Sequence, residues 1–352
     1  MSLRFSLKGN NEKTSAELGE VFRNAQDPPV FYSVGMLKVL EKISGVKLQI
    51  ALLHKNEIPI LALPIVKKNI WTNANFPGWD NLDLVQSASA LKADVDYFWT
   101  ALLNEVKLLK LSSFSQKSTA IHLAQKQKFK IVDRRKCPYI PLKSSWEELN
   151  QTISKKLVRN LRQYGNKALR DGIHYKIREA QSISIEERNG LLRTAFAYHN
   201  MRMKDLNQDS KFTPEAFESY HKSVFELADN VFIIEAFNAT GENIACFYGL
   251  FNKYRLAYFN GGFNQDYTEY SLGTLLVSEL ISFAYQENIK VFDFLRGREG
   301  YKLKWTDVFD WNKDIYLSNN NLFSKLKLRV YFFDDMRKRL GTKKAIKLAL
   351  AA

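Results

Sequence analysis

The sequence is poor in the residues that build metal centres and disulfide frameworks. Its 352 residues include two cysteines and five histidines. Cys137 and Cys246 lie in no paired motif, which excludes a zinc knuckle and a disulfide scaffold and indicates a reducing compartment. The histidines show neither HxxxH nor HExxH spacing, so we expect no metal site.

Long apolar runs are also missing. The N-terminus lacks the apolar core of a signal peptide, and no run approaches the roughly 20 residues that span a bilayer. The apolar region from Ala245 to Phe259 is interrupted by Asn252, Lys253 and Arg255. We therefore expect a cytoplasmic protein without a membrane-spanning segment.

Apolar residues and positive charge are abundant. Hydrophobic residues make up 45% of the chain and aromatic residues 13%, which indicates a packed core, not disorder. The length suits two domains of ordinary size. The formal net charge is +15. Such a balance predicts an anionic partner, either a phosphorylated small molecule, a nucleic acid or a membrane surface, or else serves solubility alone.

Helix and strand signals alternate along the chain and predict α/β (α+β) structure with mixed sheets. Residues 1–30 look irregular and polar. A capping box at Ser145 opens a new unit after the first sheet. The resulting boundaries are an N-terminal domain at 1–143, a second domain at 144–320 and a basic, helical segment at 321–352.

A long amphipathic helix is predicted from Lys155 to Arg170, closed by Asp171 and Gly172. One side of this helix is apolar, and the other carries charges of a single sign: Lys155, Lys156, Arg159, Arg162, Lys167 and Arg170. Such a face is either solvated or contacts a polyanion.

A crossover unit is the most informative stretch. A strand at Leu256 to Phe259, a helix from about Leu272 to Glu287 and a strand at Val291 to Leu295 predict two parallel strands joined by a helix. In such units ligands bind at the carboxyl ends of the strands.

Several polar residues cluster at those strand ends. Ser271 can cap the helix and Gly273 would let a phosphate approach the helix N-terminus. Arg296 and Lys302 can hold a phosphate or polarise a carbonyl, and Tyr301 can act as a general acid.

Two features leave alternatives open. Asp293 lies inside an apolar strand, so it is either paired with a cation, exposed on the solvent face, or a catalytic base. Asn260-Gly261-Gly262 is either a simple turn or splayed backbone whose N–H groups polarise a carbonyl.

The segments SWEELNQTISKKLVRNLRQYGNKALRDG and LGTLLVSELISFAYQENIKVFDFLRGREGYKLKW resemble the FemAB-like and CelD-like branch of the GNAT acyltransferases. The resemblance spans about residues 30 to 315. It implies two GNAT-like domains, each a mixed twisted sheet flanked by helices. FemAB enzymes transfer amino acids from aminoacyl-tRNA to cell-wall precursors, and other members, linked to polysaccharide production, are thought to use acyl-CoA.

The resemblance also implies site residues. Of the pyrophosphate-binding hexad, here Thr268 to Gly273, only the final glycine matches the family pattern. The predicted cofactor-binding residues are Phe263, Asn264, Ser271, Leu272, Gly273 and Thr274. The predicted catalytic residues are Lys302, Tyr301 and Asp293, and the predicted substrate-binding residues are Arg296, Asn260, Arg202 and Trp79.

These features together predict an acyltransferase that moves an acyl or aminoacyl group to an amine on a sugar or cell-envelope glycan precursor. Attack would be direct, in a cleft between the two domains, with acyl-CoA as donor and no metal. One alternative is an aminoacyl-tRNA donor, with the basic helix contacting RNA, although Asp171-Gly172 leaves no room for the long helical arm of FemAB enzymes. The other is a non-catalytic double-GNAT scaffold that contacts an anionic membrane through its basic C-terminal segment.

Overall fold

The computed structural model describes residues 2–205, 215–297 and 299–341. Its α-helices are α1 (Glu12–Asn24), α2 (Val34–Ser44), α3 (Lys92–Val106), α4 (Thr119–Lys126), α5 (Trp146–Thr152), α6 (Lys155–Arg170), α7 (Ile185–Asp205), α8 (Glu215–Leu227), α9 (Leu272–Gln286) and α10 (Leu322–Leu340). Its strands are β1 (Leu3–Gly9), β2 (Leu48–Lys55), β3 (Ile58–Lys67), β4 (Trp71–Asn73), β5 (Val85–Gln86), β6 (Leu108–Ser115), β7 (Ile131–Pro141), β8 (His174–Glu179), β9 (Val231–Phe237), β10 (Asn243–Phe251), β11 (Arg255–Phe263), β12 (Val291–Asp293) and β13 (Phe309–Ser318).

The chain forms two compact units that are not continuous in sequence. The second unit comprises Ser33–Gly45 and Lys136–Phe309, and the first takes the chain before, between and after these segments. These limits differ from the predicted linear boundaries at 143 and 320. Helix α2 belongs to the second unit because Gly35 lies directly against the backbone of α8, where an added Cβ would overlap the carbonyl of Leu227.

The first unit contains a sheet in the order β1-β2-β3-β4-β6-β13, with β5 paired to β3. Its neighbours run antiparallel except β4 and β6. The prediction of an irregular N-terminus is wrong, because β1 pairs with β2 from Leu3 to Gly9. Helix α1 follows at once, and the Asn11 side chain caps it by accepting a 3.0 Å hydrogen bond from the Thr14 N–H.

Helix α10 closes part of this first unit. Its inner row of Ser324, Leu328, Phe332 and Met336 is buried, and the apolar members pack on Tyr316 of β13. The predicted C-terminal helix is thus confirmed as far as Leu340, and the rest of that prediction lies outside the described residues. In the described part of the chain, no helix has both the length and the apolar character needed to cross a bilayer.

The carboxyl group of Asp83, in the first unit, is partly buried and hydrogen-bonded. Asp83 Oδ1 accepts hydrogen bonds from Ser118 Oγ at 2.5 Å and from the Leu84 N–H at 2.7 Å. Burial raises the pKa of Asp83 to about 7, although these two hydrogen bonds act in the opposite direction. Stability of this unit should therefore depend on pH.

The second unit contains a sheet in the order β7-β12-β11-β10-β9-β8. Strands β11 and β12 are parallel and their neighbours pair antiparallel. The predicted crossover from β11 through α9 to β12 is confirmed. Helices α6 and α9 contribute apolar side chains to one core with the sheet. Helix α9 follows β11 in the chain, so its start lies near the carboxyl end of that strand.

Candidate active site

The parallel strands of the crossover part after a short stretch of pairing. Strand β12 pairs with β11 over three residues, from Arg255↔Val291 to Ala257↔Asp293. Strand β11 continues from Tyr258 to Phe263, where β10 is its only strand neighbour among the residues that the structure describes. No described strand pairs with the other edge of this segment, which is the kind of edge at which an extended ligand can add hydrogen bonds.

The chain turns sharply where β12 ends. Leu295 has φ of +56°, a left-handed conformation that is unfavourable for leucine. Asp293 stabilises this turn, since its Oδ1 accepts the Leu295 N–H at 2.8 Å. Its Oδ2 accepts a hydrogen bond from Arg255 Nη1 at 2.9 Å. Asp293 therefore joins β11 to the turn that leads to the predicted catalytic residues.

Lys302 secures the loop that follows this turn. Its Nζ donates to the carbonyl oxygen of Arg296 at 2.7 Å and lies 3.0 Å from Glu299 Oε2. The Lys302 side chain is almost fully buried, with 6% exposed. A charge-assisted bond to a backbone carbonyl stabilises the loop, so the visible role of Lys302 is to position Arg296 and Tyr301.

Two tyrosines near the point where β11 and β12 part lie within electrostatic range of Arg202. Tyr258 is the first residue beyond the paired segment, and Tyr301 packs edge-on against Phe294 at 6.2 Å between ring centroids. Burial raises the pKa of both phenols. The nearby Tyr301 raises the pKa of Tyr258 further, and the Glu299 carboxylate does the same for Tyr301. The Arg202 guanidinium acts in the opposite direction on both. Both phenols are consequently protonated at neutral pH and can donate hydrogen bonds or protons.

Arg202 also connects this group to the start of α9. Its guanidinium lies 5.8 Å from the centroid of the Phe263 ring. An added Cβ on Gly273 would in turn lie 3.7 Å from Phe263 Cε1. The structure thus brings Arg202, Phe263 and Gly273 close to one another, as expected if they line one ligand path.

The start of α9 differs from the prediction in one respect. Ser271 occupies the N-cap position, but it adopts a left-handed conformation with φ of +50° and its side chain makes no capping hydrogen bond. The preceding residues, Gln265–Tyr270, form a 3-10 helix. Asn264 caps this helix, because its side chain accepts a hydrogen bond from the Asp266 N–H at 3.1 Å. The backbone N–H groups of Leu272 and Gly273 lie in the first turn of α9. N–H groups at this position have no acceptor within the helix, so they are suited to binding an anionic ligand.

Helix α6 supplies a cation beside this helix start. Lys167 Nζ lies 2.5 Å from Glu269 Oε2 and 4.7 Å from the centroid of the Tyr270 ring. Tyr270 in turn donates a 3.0 Å hydrogen bond to Asp171. The pyrophosphate hexad lacks a basic residue of its own, and here a basic residue from another element lies next to it.

The Asn260-Gly261-Gly262 stretch is part of β11 and does not form a turn. Asn260 Oδ1 accepts the N–H of Gly261 at 2.8 Å, so one of the N–H groups expected to polarise a carbonyl already has a partner. Gly262 lies directly against the backbone of α7 at Tyr198 and His199. This close approach fixes α7, and hence Arg202, relative to β11.

Two predicted site residues, Trp79 and Asp293, have buried surroundings. Trp79 belongs to the first unit, is fully buried and stacks on Phe31 with ring centroids 5.5 Å apart. Asp293 is fully buried beneath the turn and paired with Arg255, an arrangement that favours the paired alternative and a positioning role.

Residues 155–303 match the family described as Acetyltransferase (GNAT) domain. The matched segment covers less than half of the chain and lies within the second unit. The match agrees with the predicted relationship to the GNAT acyltransferases. No curated protein sequence matches this chain.

Several solved structures share the fold of this chain. FemX is 9% identical with a TM-score of 0.65, over 93% of this chain and 100% of FemX. L-PGS from Bacillus licheniformis is 13% identical with a TM-score of 0.55, over 91% and 96% of the two chains. The C-terminal domain of a putative lysylphosphatidylglycerol synthetase from Agrobacterium fabrum is 11% identical with a TM-score of 0.57, over 91% and 96%. These similarities confirm the predicted double-GNAT fold.

Three residues of this candidate site were missed by sequence reasoning: Tyr258, Arg255 and Lys167. Tyr258 becomes a candidate site residue because β12 ends before β11 does and leaves Tyr258 beyond the paired segment. Sequence patterns define the lengths of strands poorly, so this position could not be predicted. Lys167 was assigned to a helix face, and its position beside Glu269 depends on how α6 packs against the start of α9. The signal for Arg255 was the buried carboxylate at Asp293, which required a cation nearby.

Proposed function

We propose that this GNAT protein transfers an acyl group from a CoA thioester to the amine of a sugar or cell-envelope glycan precursor. The observation that supports the proposal is the placement of Tyr258 just beyond the paired segment of β11 and β12, with Tyr301 and the Arg202 guanidinium within electrostatic range of it. Protonated phenols and a guanidinium are suited to a reaction in which negative charge develops on a carbonyl oxygen and on a leaving sulfur.

The reaction would be a direct transfer. The neutral amine nitrogen forms a bond to the thioester carbonyl carbon, and the carbon–sulfur bond then breaks. The leaving thiolate takes a proton from the Tyr301 hydroxyl, the amine releases its own proton to solvent, and Tyr301 regains a proton from solvent. Lys302 holds the loop that carries Tyr301, while the start of α9 receives the donor phosphates.

A second donor, aminoacyl-tRNA, is favoured by the charges around α6 and α9. Glu269 and Asp266 place carboxylates at the start of α9, where a CoA pyrophosphate would have to lie. On α6, the exposed cations Lys155, Lys156, Arg159 and Arg162 form no ion pair with any residue that the structure describes. One fold neighbour is named as a putative lysylphosphatidylglycerol synthetase, a name that includes an aminoacyl group.

Substitution of Tyr301 tests the chemistry. Tyr301→Phe removes the hydroxyl and keeps the ring against Phe294, so we expect turnover to fall roughly a hundredfold while the dissociation constant for acetyl-CoA stays unchanged. Turnover is measured as thiol release from acetyl-CoA with glucosamine, glucosamine 1-phosphate and UDP-glucosamine as acceptors. Tyr97→Phe, an exposed tyrosine in the first unit, is the matched control. Unchanged turnover of Tyr301→Phe would remove the phenol from the mechanism.

Ligand-induced thermal stabilisation separates the two donors. A ligand that binds only the native state raises the melting temperature, by an amount set by its concentration and affinity. Stabilisation by acetyl-CoA and not by charged tRNA supports the thioester donor. Stabilisation by charged tRNA alone, lost steeply as salt increases, would replace the CoA proposal with the tRNA-dependent one.

A further inference from the structure

Helix α10 has two apolar rows on nearly opposite sides. The inner row is Ser324, Leu328, Phe332 and Met336, which is buried in the first unit. The outer row is Leu322, Leu326 and Val330, which are 74%, 50% and 71% exposed, with Phe323 beside them at 65%. The two rows are offset by two residues, and this offset corresponds to about 200° around an α-helix. We call Leu322, Phe323, Leu326 and Val330 the outer stripe.

Cations flank the outer stripe on both sides. At about 100° per residue, Lys327 follows the stripe on one side and Arg329 and Lys325 follow it on the other. None of the three forms an ion pair with a residue in the described ranges, and Lys327 Nζ lies 4.3 Å from the centroid of the Phe323 ring. The carboxylate of Asp334, further along, is already paired with Arg337 and Lys338.

We propose that the outer stripe of α10 docks on an anionic membrane surface. A stripe of exposed Leu, Phe and Val bordered by Lys and Arg is the pattern of a helix that lies in the bilayer interface. Apolar side chains enter the acyl boundary, and the long basic side chains remain at the level of the phosphate groups. This surface contact is independent of the proposed acyl transfer.

Charge complementarity favours a membrane over the other occupants. A second copy of the chain, packed stripe to stripe, would bring two sets of unpaired cations together, and like charges across an interface are unfavourable. Residues 342–352 would bring Lys343, Lys344 and Lys347 onto a stripe that is already bordered by cations. An anionic lipid surface instead neutralises the cations and covers the apolar side chains.

A fluorescent probe on the stripe provides a direct test. The two native cysteines are buried, so Val330→Cys can be labelled selectively with a polarity-sensitive dye. We expect a blue shift on adding vesicles of phosphatidylcholine with about 30 mol% phosphatidylglycerol, and little shift with phosphatidylcholine alone. Lys13→Cys, on the exposed side of α1 in the same unit, is the control site and should not respond.

Substitutions then separate charge from apolar contact. Removing a cation at an anionic surface weakens binding about fivefold, so Lys325→Gln/Lys327→Gln/Arg329→Gln should weaken vesicle binding roughly a hundredfold. Removing three exposed lysines elsewhere, with Lys13→Gln/Lys38→Gln/Lys126→Gln, should have a much smaller effect. Leu326→Gln/Val330→Gln should weaken binding at least tenfold, whereas Ile58→Gln, which is 56% exposed, should not.

Three results would overturn the proposal. One is the absence of a blue shift with the anionic vesicles. Another is a blue shift that occurs without vesicles and increases with protein concentration, while sedimentation velocity shows dimers. That result would assign the stripe to a contact with a second copy of the chain. The third is vesicle binding that the glutamine variants leave unchanged while their melting temperatures match the wild type.

Discussion

The contact between Gly262 and helix α7 leads to a quantitative prediction for Gly262→Ala. An added Cβ would lie 2.5 Å from the His199 backbone nitrogen and 2.7 Å from both the carbonyl carbon and Cβ of Tyr198. These are mainly backbone atoms that cannot rotate away, so α7 must move outward by about 1 Å. Gly262 has no positive φ, and the cost is therefore steric. Overpacking of this kind costs roughly 1–3 kcal/mol.

This cost can be measured as a change in melting temperature. For a unit of this size 1 kcal/mol corresponds to about 2–4 °C, so Gly262→Ala should melt roughly 3–9 °C lower than the wild type. Turnover should also fall, because α7 carries Arg202 towards Tyr258 and Tyr301. Circular dichroism gives the melting temperature, and hydrogen exchange along α7 shows whether that helix is the element displaced.

Gly273→Ala is the matched control. Its Cβ would meet only Phe263 Cε1, at an ordinary contact distance of 3.7 Å. Alanine is favoured over glycine within helices, so this variant should melt at or slightly above the wild-type temperature. If Gly262→Ala melts with the wild type, or both variants lose equal stability, the steric reasoning is wrong.

Two further predictions concern carboxylates. Because the pKa of Asp83 is raised to about 7 from 3.8, the native state keeps a proton that the unfolded state has lost, and stability falls as pH rises between these values. Asp83→Asn should therefore gain melting temperature over the wild type as pH goes from about 5 to about 8, and a constant difference across that range would contradict the assignment. Asp293→Ala should lose more stability than Asp293→Asn in denaturant unfolding, because only the amide still accepts the Leu295 N–H, and equal losses would exclude this clamp.

Local patterns predicted the crossover unit well. The helix predicted from Leu272 to about Glu287 is found as Leu272–Gln286, and the parallel strands pair as expected. Helix α6 runs from Lys155 to Arg170, as its amphipathic pattern indicated. These segments are long or strongly periodic, so burial of one face determines their structure.

Features that depend on distant contacts were predicted less well. Strand β1 is defined by pairing with β2, about 45 residues further along the chain, and its own residues are only partly buried. Asn11 is a residue type favoured at the N-cap, and on this ground the start of α1 could have been predicted from the sequence. The length of β12, which exposes Tyr258, depends on the turn at Leu295 and could not be derived from an apolar run.

The interleaved division of the chain has a consequence for how it folds during synthesis. Every segment of the second unit has left the ribosome once Phe309 emerges, whereas the first unit still lacks β13 and α10. The first unit must therefore hold an unfinished sheet edge at β6 until β13 emerges, and that edge is the point at which premature termination would promote aggregation. Expression of shortened chains should for this reason keep Asp310 to Leu340, because a cut at residue 320 removes α10 from the core to which it belongs.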